Sequence, residues 1–255
     1  TAWTPKEAGK VEQLGELHPL YWGLALSRNN YSAWIMKQAK QPEAVADFIH
    51  NMGIRSFIDP VPAMCVGTSE SNVYEMVSAF STFANEGVHT DPIFVTRIED
   101  RQGNLIASFI PQSQDAISDD TAYTMLTMLQ KVVTNGTASR LRYAYGMEGV
   151  ELGGKTGTSQ KNRDAWFMCV APKLTMGAWV GGEDQSVHLS SRGEGGVVAL
   201  PIVGDFLQRV HNDGTLGISR SDMFVRPTNP YRLDCSTEEI QAEFGDEESE
   251  DEFFE

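Results

Sequence analysis

Lys155 lies in Gly154-Lys155-Thr156-Gly157-Thr158-Ser159, the stretch of this chain whose residue types carry the most chemistry. An ammonium beside hydroxyls and a glycine suits an anion, and two chemistries use that set. Gly149, four residues, then Gly154-Lys155-Thr156 satisfies the phosphate-loop pattern G-x-x-x-x-G-K-[ST]. A phosphate loop needs a strand before it and a helix after it, because the helix N-terminus supplies N–H donors to the phosphate. Here Gly157 follows at once, and then Asp164-Ala165-Trp166-Phe167-Met168-Cys169-Val170-Ala171, a β-branched and aromatic run ending at Pro172. That run reads as a strand, so a nucleotide-binding loop fails on context. The second chemistry is Lys-Thr-Gly on a strand beside a cleft. The lysine there holds a carboxylate and keeps a neighbouring hydroxyl easy to deprotonate. Gly157 lets a ligand approach the backbone, and Thr156 and Thr158 share one face because strands have period two. Taken alone, the triplet also fits a strand edge with a solvated lysine.

Ser27-Arg28-Asn29 supplies a second element of the form S-x-N. It lies between two apolar segments, Leu20 to Leu26 and Ser32 to Met36, that read as helices broken by a polar turn. An Asn-rich interhelical turn alone would look the same. The two motifs together, in this order and far apart, are far more specific. They are two of the three signatures of serine acyl-transfer enzymes that react with penicillin.

On these residues the chain resembles the C-terminal part of a penicillin-binding protein transpeptidase domain, most like the bifunctional class A type. The resemblance covers nearly all of residues 1 to 213. It runs through Trp3-Thr4-Pro5-Lys6, Ser27-Arg28-Asn29, Gly67-Thr68-Ser69-Glu70, Tyr74 to Phe80, Phe83-Ala84-Asn85-Glu86-Gly87 and Asn135-Gly136-Thr137-Ala138. It is densest from Gly154 to Phe167 and continues in Trp179-Val180-Gly181-Gly182 and Ala199-Leu200-Pro201-Ile202. One signature departs. The family's S-x-x-K carries the nucleophilic serine and its activating lysine, and no serine of this sequence is followed three residues later by lysine. The expectation is a fragment whose nucleophile lies upstream of Thr1, inactive by itself.

The resemblance implies an α/β (α+β) fold: an antiparallel sheet with helices on both faces, its N-terminal strands and nucleophile helix absent from this chain. It implies a peptidoglycan D,D-transpeptidase acting by an acyl-enzyme, with no cofactor and no metal. Ser27 would relay a proton to the leaving amine, Asn29 would bind the substrate's amide chain, and Lys155 would favour deprotonated Ser27. Thr156 and Thr158 would bind the terminal carboxylate, and Gly157 and Ser159 would line the cleft. The N–H of Thr158 would form half of an oxyanion hole. Implied partners are stem peptides ending in D-alanyl-D-alanine, β-lactam antibiotics, and an N-terminal piece or glycosyltransferase domain of the same protein. The implied location is the periplasmic, extracytoplasmic face of the membrane, with the parent anchored by a membrane helix. Two other readings stay open: a D,D-carboxypeptidase or β-lactamase-type hydrolase, and a non-catalytic fragment that binds a cell-wall or divisome partner.

Composition agrees with a globular domain. The 255 residues are 41% hydrophobic, with a net charge of −15 that argues against nucleic acid. Ten acidic and no basic residues fall between Ser236 and Glu255. The division expected is therefore a domain over 1–235 and an acidic tail over 236–255 too poor in apolar residues to order. Cys65, Cys169 and Cys235 form neither a metal spacing nor a disulfide framework. No segment is apolar for long enough to span a bilayer.

The positioning elements follow from periodicity. Glu43 to Met52 is a short amphipathic helix. Asn72 caps a helix from Val73 to Asn85, with Glu75 placed to return a bond to the cap and Gly87 closing it. Ile93 to Glu99 and Asn104 to Ile110 alternate around Arg101-Gln102-Gly103, a surface hairpin. Asp119 to Val133 repeats apolar residues on one helical face. Gly154–Thr158, Ala165–Val170 and Thr175–Val180 read as antiparallel strands, the second buried on both sides. Ala199 to Val210 is a covering helix with Pro201 in its first turn.

Overall fold

The computed structural model describes residues 18–184, 186–231 and 233. Trp3-Thr4-Pro5-Lys6, Cys235 and the acidic run from Ser236 to Glu255 lie outside the described residues.

Helices α1 (Leu20–Ala25) and α2 (Asn29–Ala39) are joined by the turn that carries Ser27. α2 starts before its apolar stripe does, because Asn29 and Asn30 fill a first turn that the stripe cannot mark. α3 (Pro42–Asn51) takes Pro42 into its first turn, where the missing N–H costs nothing. α4 (Val73–Ala84) is capped as expected, Asn72 Oδ1 accepting from the Glu75 N–H at 2.9 Å. The Glu75 carboxylate, beside the Asn72 cap, takes partners from outside the helix as well. It accepts from the Ser56 hydroxyl at 2.7 Å, the Ser56 N–H at 3.2 Å and the Ser71 hydroxyl at 3.3 Å. Burial opposes its ionisation, but these hydrogen bonds win and hold its pKa below the usual carboxylate value.

β1 (Val88–Thr90) pairs antiparallel with β4 (Ser113–Asp115), and the segment between them projects as the hairpin β2 (Arg97–Glu99) and β3 (Leu105–Ser108). The ladder is shorter than its sequence pattern and carries a bulge between Ile98 and Glu99. Among the described residues no layer covers this ribbon: Leu105, Ile106 and Ile110 are 61%, 65% and 79% exposed.

α5 (Asp119–Asn135) buries Ala122, Leu126, Leu129, Val132 and Val133, the predicted stripe, with Met125 at its margin. After α6 (Arg140–Tyr145) come β5 (Gly153–Thr158), β6 (Asp164–Ala171) and β7 (Leu174–Gly181), an antiparallel sheet in the order β5-β6-β7. The lysine of Gly154-Lys155-Thr156 therefore lies inside a strand that is followed by another strand, which disposes of the phosphate loop. α7 (Gly195–Val198) and α8 (Leu200–Asn212) complete the described elements.

β6 is the hub. Its alternation sends Phe167, Cys169 and Ala171 into one cluster with Leu200, Val203 and Leu207 of α8. Val170 points the other way, against Leu126 of α5 and the Phe80 and Phe83 rings of α4. Phe167, Cys169 and Val170 are wholly buried, each large side chain worth about 2–3 kcal/mol of apolar transfer. The sheet thus has helices on both faces and is stiff where it supports β5.

Candidate active site

Ser27 owes its position to a helix end. It follows Leu26 at the C-terminus of α1, with Ser27 N–H bonded to Leu24 O at 3.1 Å and Arg28 N–H to Gly23 O at 2.8 Å. That bonding pattern places Ser27 at the left-handed position that glycine ordinarily fills, and its φ is 55°. A side chain in that conformation costs on the order of 1 kcal/mol. The turn spends that energy on aiming a hydroxyl. Asn29, the other residue of the S-x-N element, is the half-buried first residue of α2.

The hydroxyl meets Lys155. Lys155 Nζ lies 2.7 Å from Ser27 Oγ, although 128 positions separate them, and donates also to Thr156 O at 2.7 Å. Among the described residues no carboxylate pairs with this lysine. Enclosure by protein without a counter-charge pulls its pKa down to about 8. A cation destabilised in this way gains by any anion that enters beside it.

Strand register decides what else faces the cleft. Ser159 N–H donates to Asp164 O at 3.0 Å, and Thr158 stands opposite Ala165. Antiparallel alternation then makes Gly157, Lys155 and Gly153 the positions bonded to β6. The backbone N–H and C=O groups of Gly154, Thr156 and Thr158 point instead to the edge of the sheet, which no strand among the described residues covers. The acceptance of Lys155 Nζ by Thr156 O follows that rule. The side chains divide the other way: Lys155 turns to Ser27, while Thr156 and Thr158 share the opposite face. Thr156 Oγ1 is bonded to Thr137 Oγ1 at 2.7 Å, and Thr158 Oγ1 accepts from the Gly195 N–H at 3.0 Å. Gly195 fits there because it has no Cβ, which would stand 2.4 Å from Gly157 O. Ser159 leaves the strand and is clamped: its hydroxyl donates to Asp164 Oδ2 at 2.9 Å, and Trp179 Nε1 donates to Asp164 Oδ1 at 3.1 Å.

The motifs predict Ser27 and Lys155 as partners, and the structure brings them together. They do not reveal the ties behind that pair. Thr137 N–H donates to Ala25 O at 3.1 Å, and Gly136 packs so closely that a Cβ would lie 2.2 Å from the same oxygen. The Asn135-Gly136-Thr137-Ala138 run shows turn chemistry in the sequence, but nothing in its spacing points to α1 or β5.

Two motifs converging at the edge of an antiparallel sheet, with helices on both faces, define the class as the α+β fold of penicillin-reactive proteins. Comparison with known proteins makes this specific. Residues 64–208 match the family model described as penicillin binding protein transpeptidase domain. Over 215 residues the chain is 31% identical to penicillin-binding protein 1A of Neisseria meningitidis serogroup A, covering 82% of this chain and 26% of that protein. Over 239 residues it is 30% identical to penicillin-binding protein 1A of Rickettsia conorii, covering 83% and 29%. Among solved structures, penicillin-binding protein 1A from Haemophilus influenzae superposes with a TM-score of 0.70 at 19% identity, over 84% of this chain and 39% of that one. PonA1 from Mycobacterium tuberculosis in complex with penicillin V gives 0.65 at 24% identity, over 82% and 59%. The chain belongs to the penicillin-binding protein transpeptidase family, and its relatives are of the class A, 1A kind. It spans between a quarter and a third of the length of these two relatives. Among the described residues no helix is long and apolar enough to cross a membrane.

Proposed function

We propose that this chain carries the S-x-N and K-T-G walls of a serine-type D-alanyl-D-alanine transpeptidase that cross-links peptidoglycan stem peptides. The supporting observation is the Lys155 Nζ contact with Ser27 Oγ at 2.7 Å, with no competing carboxylate among the described residues. In this reading the nucleophile belongs to an S-x-x-K motif that the sequence does not contain. That serine attacks the penultimate carbonyl and its lysine takes the proton. Ser27, its deprotonation favoured by the Lys155 charge, passes a proton to the departing D-alanine amine, and Asn29 holds the donor peptide. The edge-facing N–H of Thr158 is one oxyanion donor, a contribution worth roughly 3 kcal/mol in other acyl-transfer enzymes. Thr156 and Thr158 recognise the terminal carboxylate, and Gly157 and Ser159 shape the wall beside it. The amine of a second stem peptide then takes the acyl group. β-Lactams acylate the same serine. The domain runs over 1–235 with the acidic run 236–255 outside it, and the parent works at the extracytoplasmic face of the membrane.

The test is labelling by a fluorescent penicillin, read on a denaturing gel that only covalent adducts survive. The chain by itself should stay unlabelled, and the chain joined to an S-x-x-K segment should be labelled. Lys155→Ala in the joined protein should slow labelling about a hundredfold or more, the scale of losing one preorganised charge-stabilising group. Robust labelling of the isolated chain, or full-rate labelling of the Lys155→Ala protein, would sink the assignment.

A further inference from the structure

Thr137 stands where three parts of the cleft meet. Its N–H holds Ala25 O, two residues before Ser27. Its hydroxyl holds the Thr156 hydroxyl across 19 positions of sequence. Its carbonyl oxygen lies 3.2 Å from the place a Cβ on Gly196 would take. Thr137 itself is exposed, whereas Thr156 is 9% exposed. A hydroxyl has one proton to give. In the Thr137–Thr156 pair either oxygen can be the donor. If Thr156 donates, its lone pairs remain for the cleft and repel an anion. If Thr137 donates, the Thr156 proton is free for the cleft, and accepting a bond polarises it further.

We propose that Thr137 is a positioning residue for carboxylate recognition: its hydroxyl donates to Thr156 Oγ1 and so commits the Thr156 proton to a ligand carboxylate. Thr137 thereby sets the preference for ligands with a free carboxylate over neutral ligands of the same shape. The inference rests on the transpeptidase reading above.

The experiment uses the chain joined to its S-x-x-K segment and compares acylation by a penicillin with acylation by the methyl ester of that penicillin. Thr137→Val keeps the shape and the backbone bond to Ala25 while removing the hydroxyl. It should lower the acid-to-ester rate ratio roughly fivefold, the size of one neutral hydrogen bond, by slowing the acid and sparing the ester. Thr137→Ser should restore the ratio. Equal loss for both compounds would show Thr137 to be a structural support only, and an unchanged ratio would remove it from recognition; either result overturns the inference alone. Failure of the wild-type joined protein to react with the acid would overturn the transpeptidase reading and the inference with it.

Discussion

The two walls of the cleft are built on opposite principles. The β5 wall is regular strand, fixed by a ladder to β6 whose Phe167 and Cys169 are wholly buried. Its reactive group is perturbed by surroundings, since burial lowers the Lys155 pKa. The Ser27 wall is a helix end in a strained conformation, held from outside by the Gly136-Thr137 turn. Its reactive group is perturbed by backbone. A cleft made this way can tune charge on the rigid side and direction on the other.

Removing the charge should have the largest effect on stability. Lys155 titrates near 8 when folded and near 10.5 when unfolded. Below pH 8 both states hold the proton, so the cost of burying it is fully present. Between 8 and 10.5 the unfolded state binds more protons, so stability should rise with pH across that window, by at most about 3 kcal/mol. Urea midpoints of the wild type should climb over that range, and those of Lys155→Met should not. A flat wild-type profile would mean that β5 is not tuned by burial.

The other wall should answer to its brace. Gly136→Ala would press a methyl into Ala25 O and break the Thr137 N–H bond to it, costing about 2 kcal/mol by urea unfolding. In the joined protein the same change should slow penicillin labelling, because the Ser27 turn shifts away from Lys155. Unaltered labelling would show that the turn does not depend on this support.

The smallest effect isolates the strain. Ser27→Ala and Ser27→Gly both remove the hydroxyl, but only alanine keeps a Cβ at φ 55°. The glycine variant should be the more stable by about 1 kcal/mol in denaturant. Equal stabilities would mean that the left-handed turn stores no strain.

Much of this was readable from the residues. β6 and α5 were legible because each buries an unambiguous pattern, a doubly apolar run and a single helical stripe. The pairing of Ser27 with Lys155 was legible only through the two motifs, since no local rule joins residues 128 positions apart. The left-handed turn at Ser27 was not legible, because serine carries no mark of positive φ. Nor was the Thr137–Thr156 bond, made by two ordinary hydroxyls that only the fold brings together. Around residues 93–110 period two marked the surface hairpin that the structure shows, though with shorter strands. It shows strand but not whether any layer lies above it, and the ribbon there leaves Ile106 and Ile110 in solvent. The Ser56 partner of Glu75 was hidden for a related reason: capping rules see neighbours within a helical turn, while Ser56 arrives from 19 positions away.

The bond from Lys155 to Thr156 O has a consequence for the chain outside catalysis. An outer strand with bare carbonyls is an invitation to any extended peptide, including one from a neighbouring copy. A charged side chain folded back over such an edge discourages that pairing. The lysine that prepares the cleft for a carboxylate is thus also a stopper in the sheet's open seam, one that an incoming strand must dislodge before it can zip on.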